Sequence, residues 1–194
     1  MKIRESGMPE RDVWESFFDP ANLLTTLGLG RQVNDAAEFG CGYGTFTIPA
    51  AKLISGKIYA LDIEPDMVRL VSERASGEGL GNVRVLLRDF MVQGSGMPDE
   101  SVDYAMLFNI LHLENPIVLL QEAARILKKG GRLAIIHWNH DPATPRGPSL
   151  DIRPRPEQCI AWAKRAGFCK PVLYDLSPYH YGIVAIRFNP GNII

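Results

Sequence analysis

The sequence predicts an α/β fold: a mostly parallel sheet of seven strands, helices on both faces, and an antiparallel strand at the C-terminal end. Three observations lead there. Short apolar runs alternate with helix-length segments between residues 36 and 137, the pattern of parallel strands joined by crossover helices. Two of these runs, Val102 to Phe108 and Arg132 to His137, are nearly continuous in apolar residues, as expected for strands covered on both faces. The last two runs are joined only by a turn around Ser177 to Gly182, which suits a hairpin and not a crossover.

The elements follow in order. Met8-Pro9-Glu10 can start a helix that carries Trp14, Phe17 and Phe18 on one side, and Asp19-Pro20 ends it and opens a second that stops near Gly28 or Gly30. Ala36 to Phe39 is a short strand that stops at glycines, and Thr45 to Ile54 is a helix closed by Ser55-Gly56. Lys57 to Leu61 is a strand ending at Asp62, and Pro65 to Ala75 is a helix with proline in its first turn. Asn82 to Arg88 is a strand ending at Asp89. The strand Val102 to Phe108 leads to a helix from Asn115 to Lys128, opened by Pro116 and closed by Gly130-Gly131, and then to the strand Arg132 to His137. Five prolines make Asn139 to Pro156 an irregular loop. Glu157 to Ala166 is a helix, and Val172 to Leu176 and Ile183 to Phe188 form the hairpin. With no visible boundary, one domain is expected over residues 1–194: a helical cap over 1–30 and a core over 31–194.

Composition narrows the function. Hydrophobic residues make up 46% and charged residues 22%, which excludes a disordered or fibrous chain. Lys plus Arg is 21 against 22 Asp plus Glu, so no global basic field is available to hold nucleic acid. The longest apolar run, Tyr104 to Phe108, is far short of the ~18 residues that span a bilayer, and residues 1–15 lack a signal-peptide apolar core. Cys41, Cys159 and Cys169 form neither a disulfide framework nor a metal-binding spacing, so a reducing, cytoplasmic setting and no metal are expected.

The chemistry concentrates at Glu38-Phe39-Gly40-Cys41-Gly42-Tyr43-Gly44, between the first strand and the first long helix. Glycines let the backbone approach a ligand closely, and the helix behind offers free N–H groups. A glycine turn also serves simply as a tight strand-to-helix connection. Its context is sharper: Asp62 ends the second strand and Asp89 the third. Glu38, Asp62 and Asp89 thus stand at the carboxyl ends of three consecutive strands, the edge where open parallel sheets bind ligands. A carboxylate there can accept bonds from both hydroxyls of a ribose.

Over about residues 30 to 190 these motifs resemble the class I S-adenosylmethionine-dependent methyltransferases, a Rossmann-like three-layer sandwich. The branch closest in pattern holds the ubiquinone-biosynthesis C-methyltransferases and other small-molecule, type 11 enzymes. The turn matches the family pattern acid-x-G-x-G-x-G, with Glu38 where Asp is commoner and a strand, Asn34-Asp35-Ala36-Ala37, less apolar than usual. The resemblance implies S-adenosylmethionine as cofactor, held by Glu38, Gly40, Cys41, Gly42 and Gly44. Asp62 would take the ribose, Ile63 and Phe90 the adenine, Asp89 its amino group, and Asn109 the methionine end.

Methyl transfer is an in-line displacement in which the cofactor supplies the reactive centre and the protein the positioning. It calls for no metal or covalent nucleophile. Some acceptors need a base, and His112, His137 and His140 are candidates at the ligand edge. Each has a plain structural alternative: a polar residue at a helix start, a half-buried hydrogen-bonded histidine, a solvated loop residue. His180, in the hairpin turn, reads as structural. Trp14, Phe18 and Arg146 are candidate acceptor contacts; the aromatics equally suit the core face of a helix, and Arg146, Arg153 and Arg155 a solvated loop. The expected partner is a small-molecule acceptor, with no nucleic acid and no membrane.

Two other functions fit parts of the pattern. A nicotinamide-dependent oxidoreductase would need a third glycine where Thr45 stands, and does not account for Asp89 or the terminal hairpin. A cofactor-binding module without catalysis would keep the same turn and acids.

Overall fold

The computed structural model describes residues 9–188. Residues 1–8 of the expected cap, with Met8, lie outside the described residues. In chain order the elements are α1 (Arg11–Glu15), α2 (Pro20–Thr26), β1 (Ala36–Phe39), α3 (Thr47–Leu53), β2 (Ile58–Asp62), α4 (Pro65–Gly77), β3 (Val83–Leu87), α5 (Phe90–Gln93), β4 (Val102–Phe108), α6 (Pro116–Ile126), β5 (Leu127–Trp138), α7 (Pro156–Arg165), β6 (Phe168–Leu176) and β7 (His180–Arg187).

The strands form one sheet of order β3-β2-β1-β4-β5-β7-β6. Strands β3 to β5 pair in parallel, and β7 runs antiparallel to both β5 and β6. Alternate residues of β4 face opposite layers. Ala105 and Leu107 pack with Leu119, Ala123 and Ala163 of α6 and α7. Tyr104, Met106 and Phe108 pack with Leu24, Ile48 and Val71 of α2, α3 and α4. Both faces are covered, which is why β4 is apolar at nearly every position. Among the described residues no helix is long and apolar enough to cross a membrane.

Several boundaries differ from those expected; β7, for one, begins at His180, inside the expected turn. The helix α6 ends at Ile126, not at the glycines, and β5 begins at once, with Leu127 beside Val102. The register then shifts between Val102 and Tyr104, so Lys128 to Gly131 form a bulge inside the strand. Gly130 there has φ +78, and the Lys128 ammonium reaches Asp103 Oδ1 at 2.8 Å. The glycines therefore serve a bulge and not a helix cap. The strand β6 begins at Phe168, before Pro171, because it lies at the sheet edge and bulges between Cys169 and Val172. An edge strand tolerates a residue with no N–H to donate. The short helix α5, capped by Asp89, was not expected at all.

Candidate active site

The succession of strands reverses between β1 and β4, and the carboxyl edge at that point opens into a cavity of about 540 Å³. Its floor is the glycine turn. Gly40, Gly42 and Gly44 have φ of +75, +50 and +76, a region in which any side chain is strained. A Cβ at Gly40 would stand 2.8 Å from Ile110 Cδ1. The turn is fixed from below by Leu61 O, which accepts from the N–H groups of Gly40 and Cys41.

The strand-end acids are held in place by the backbone around them. Asp62, 6% exposed, accepts from Gly42 N at 2.8 Å and Glu64 N at 3.0 Å, leaving further lone pairs for a ligand. Asp89 caps α5, accepting from Met91 N and Val92 N, and its side chain also lines the cavity. Glu38 is buried and accepts from the Thr47 hydroxyl. Burial, reinforced by the neighbouring Asp62 charge and opposed by the Thr47 bond, pushes its carboxyl up to about 8. The Cys41 thiol is pushed up by burial and the same two acids, so it is a small neutral wall residue and not a nucleophile.

Asn109 follows β4 with φ +53, uncommon for a residue with a side chain. It lines the cavity, and neither its amide nitrogen nor its amide oxygen has a partner in the structure. An amide held in that backbone conformation with both polar atoms buried and unmatched is what a polar ligand would complete.

The remaining expected residues divide between the cavity and its surroundings. Ile63, Phe90, Trp14, Arg146 and His112 line it. Gly44 faces Val71 instead, and Phe18 packs behind the wall, with ring centroids 5.2 Å from Phe46 and 4.6 Å from His180. His112 has a buried, unpartnered Nδ1, and burial holds its pKa below the ordinary value. His137 is fully buried behind it at 5.6 Å between ring centroids, edge-on, with neither nitrogen partnered. Burial and the nearby His112 push it well below the usual imidazole range, so it stays neutral. His180, packed on Trp138 at 4.2 Å, is lowered by burial to about 3.

His140 turns away: its Nδ1 lies 2.8 Å from Arg153 O, and it borders a separate surface depression. Arg153 is not open to an acceptor either. Only 7% exposed, its guanidinium donates to the carbonyls of Asn139, Asp141, Arg146 and Pro148 and so ties the loop over residues 139–153 together. We expect Arg153→Met to take their side-chain donor from the Arg146 and Pro148 carbonyls, while those of Asn139 and Asp141 keep backbone N–H partners, at a cost of the ~1.5–3 kcal/mol of one hydrogen bond to a charged donor. Amide hydrogen exchange across residues 139–153 should accelerate and Tm should fall; unchanged exchange there would remove the staple from this description.

Sequence reasoning missed several wall residues. Phe46, Phe108 and Trp138 line the cavity, and Tyr43 Oη donates to Pro9 O, fastening the cap. Arg74 reinforces this by binding both Glu15 and Tyr43 O. Aromatic density was the available signal, but these rings come from separate elements.

The methyltransferase-domain family matches residues 37–135, from β1 to the middle of β5. The chain belongs to that family. A solved S-adenosylmethionine-dependent methyltransferase from Aquifex aeolicus superposes with TM-score 0.80 at 26% identity, covering 92% of this chain and 94% of the other. Aklanonic acid methyltransferase DauC of Streptomyces sp. strain C5 is 27% identical over 143 residues, 64% of each chain. The ubiquinone/menaquinone biosynthesis C-methyltransferase UbiE of Rhizobium rhizogenes is 27% identical over 193 residues, 90% of this chain and 71% of the relative. Other curated relatives are longer: the match to Geobacillus stearothermophilus demethylmenaquinone methyltransferase spans 42% of its length. The family's cofactor is S-adenosylmethionine, and the cavity fits it in size, in its acids at the strand ends and in the unmatched Asn109 amide.

Proposed function

We propose that this methyltransferase-family chain transfers a methyl group from S-adenosylmethionine to a small-molecule acceptor. The observation that carries the reading is the unmatched Asn109 amide, facing the same cavity as Asp62 and Asp89 across the β1–β4 switch. When bound, the cofactor supplies an electrophilic methyl on a sulfonium. The chain's part is to bind and orient. Asp62 takes the ribose hydroxyls, Asp89 the adenine amino group with Ile63 and Phe90 against the ring, and Asn109 the methionine end. His112, neutral at pH 7 and in the cavity wall, takes a proton from the acceptor. The helical cap and the loop over residues 139–155 form the roof, within one domain. The relatives' names support a small acceptor, since they act in aklanonic acid, ubiquinone and menaquinone chemistry. Product formed from labelled cofactor separates this reading from a binding module without catalysis.

The buried Glu38 gives the reading a pH signature. Its carboxyl is largely protonated in the free protein at pH 7, whereas a ligand's ammonium group prefers the carboxylate and would lower the pKa by roughly 1–3 units. Binding of S-adenosylhomocysteine should therefore release up to one proton and weaken as pH falls below about 8. Calorimetry in two buffers of different ionisation enthalpy measures this; Glu38→Gln should abolish the release. For the ligand-free fold the sign is opposite. The folded state holds this proton up to about 8 and the unfolded chain only to about 4.5, so stability falls as pH rises through that window. A release that persists in Glu38→Gln would assign the proton to another group.

A further inference from the structure

The walls of the cavity divide its charge. Its acids, Glu38, Asp62, Glu64 and Asp89, all come from the carboxyl ends of β1, β2 and β3 and the residues next to them, the half assigned above to the nucleoside. The other half is built from β4, β5, α1, the start of α3 and the loop over residues 139–155, and none of its described wall residues is an acid. It carries one full cation, Arg146, whose guanidinium has no carboxylate partner among the described residues.

The surface between is aromatic. Trp14, Phe46, Phe108 and Trp138 line this half, and they brace one another. Ring centroids lie 6.2 Å apart for Trp14 and Trp138, and 4.8 Å for Phe46 and Phe108, edge to face. The loop folds close over this wall: a Cβ added at Gly147, beside Arg146, would stand 2.8 Å from the Trp138 ring. Trp138, Phe46 and Phe108 are buried beneath this packing, and the half-buried Trp14 is the ring of this wall left to stack against a flat ring. His112 lines the same cavity as the neutral proton acceptor of the proposed function.

We propose that the acceptor is a planar aromatic or enolised ring bearing an anionic substituent, with the ring against Trp14 and the anion on Arg146. A guanidinium facing a carboxylate or phenolate gives paired, charge-assisted hydrogen bonds. An amine acceptor would meet Arg146 with like charge and find no carboxylate in this half. The inference rests on the methyltransferase reading. In the transfer step, the proton of the acceptor's hydroxyl or enol passes to His112. The electron pair so freed forms the new bond to the methyl carbon, and the pair of the broken methyl–sulfur bond stays on sulfur.

The test uses the whole protein saturated with S-adenosylhomocysteine and three probes sharing one ring: hydroxynaphthoate, naphthol and naphthylmethylamine. Isothermal titration should show hydroxynaphthoate binding at least about tenfold more tightly than the other two, the worth of one charge-assisted contact. In Arg146→Gln that advantage should fall about tenfold, with S-adenosylhomocysteine affinity held within about twofold. The inference is overturned if the amine binds best, if no probe binds saturably, or if the anion's advantage survives in Arg146→Gln. Failure of S-adenosylhomocysteine to bind overturns the methyltransferase reading along with it. Binding of that ligand without an anion preference overturns only the acceptor class.

Discussion

His112→Gln should slow methyl transfer by roughly 10²–10⁴, the usual worth of a positioned base, while S-adenosylhomocysteine affinity stays within about twofold. The imidazole is in the cavity wall, its Nδ1 is buried without a partner, and its ring centroid lies 5.6 Å from that of His137. A neutral ring with the proton on Nδ1 leaves Nε2 free to take the acceptor's proton. Burial holds the His112 pKa below its ordinary value of 6.5, so the base is ready at pH 7. The working form is lost as pH falls through that lowered pKa, so the acid limb of kcat/KM should lie below pH 6.5 and vanish in the variant. Turnover of an accepted hydroxynaphthoate-type substrate across pH measures both. Full activity in His112→Gln would show that the acceptor needs no base from this residue.

Asp62→Ala should weaken S-adenosylhomocysteine binding roughly 10–100-fold, from the loss of charge-assisted bonds worth ~1.5–3 kcal/mol. The same carboxylate accepts from Gly42 N and Glu64 N, so its removal also loosens the glycine turn. Asp62→Asn keeps one acceptor oxygen and separates the two effects. With one of the two backbone bonds kept, it should restore part of the Tm lost in Asp62→Ala while still binding the ligand weakly. Wild-type affinity in both variants would remove Asp62 from the site.

The readable parts of the sequence were local. The glycine turn and the acids at Glu38, Asp62 and Asp89 each sit at a fixed offset from an apolar run, so their common edge followed from strand order alone. The helices also announced themselves, through Pro65 and Pro116 at their starts. What stayed hidden depends on contacts between distant segments. The bulge over Lys128 to Gly131 exists because β5 slips past Asp103 on a strand 25 residues earlier, which no glycine pair encodes by itself. The roles of His140, Arg146 and Arg153 could not be told apart in a proline-rich loop. Arg153 is turned inward by four carbonyls that converge only after folding, and Arg146 is left to face the cavity. The aromatic wall likewise draws Trp14, Phe46, Phe108 and Trp138 from four separate stretches, each of which reads alone as core.

The direct measurement is calorimetric titration of the wild-type protein with S-adenosylhomocysteine and, separately, with NAD. A cavity built for the methyl donor predicts one saturable site for S-adenosylhomocysteine, strongly weakened in Asp62→Ala, and no binding of NAD. Saturable binding of NAD with none of S-adenosylhomocysteine would contradict it.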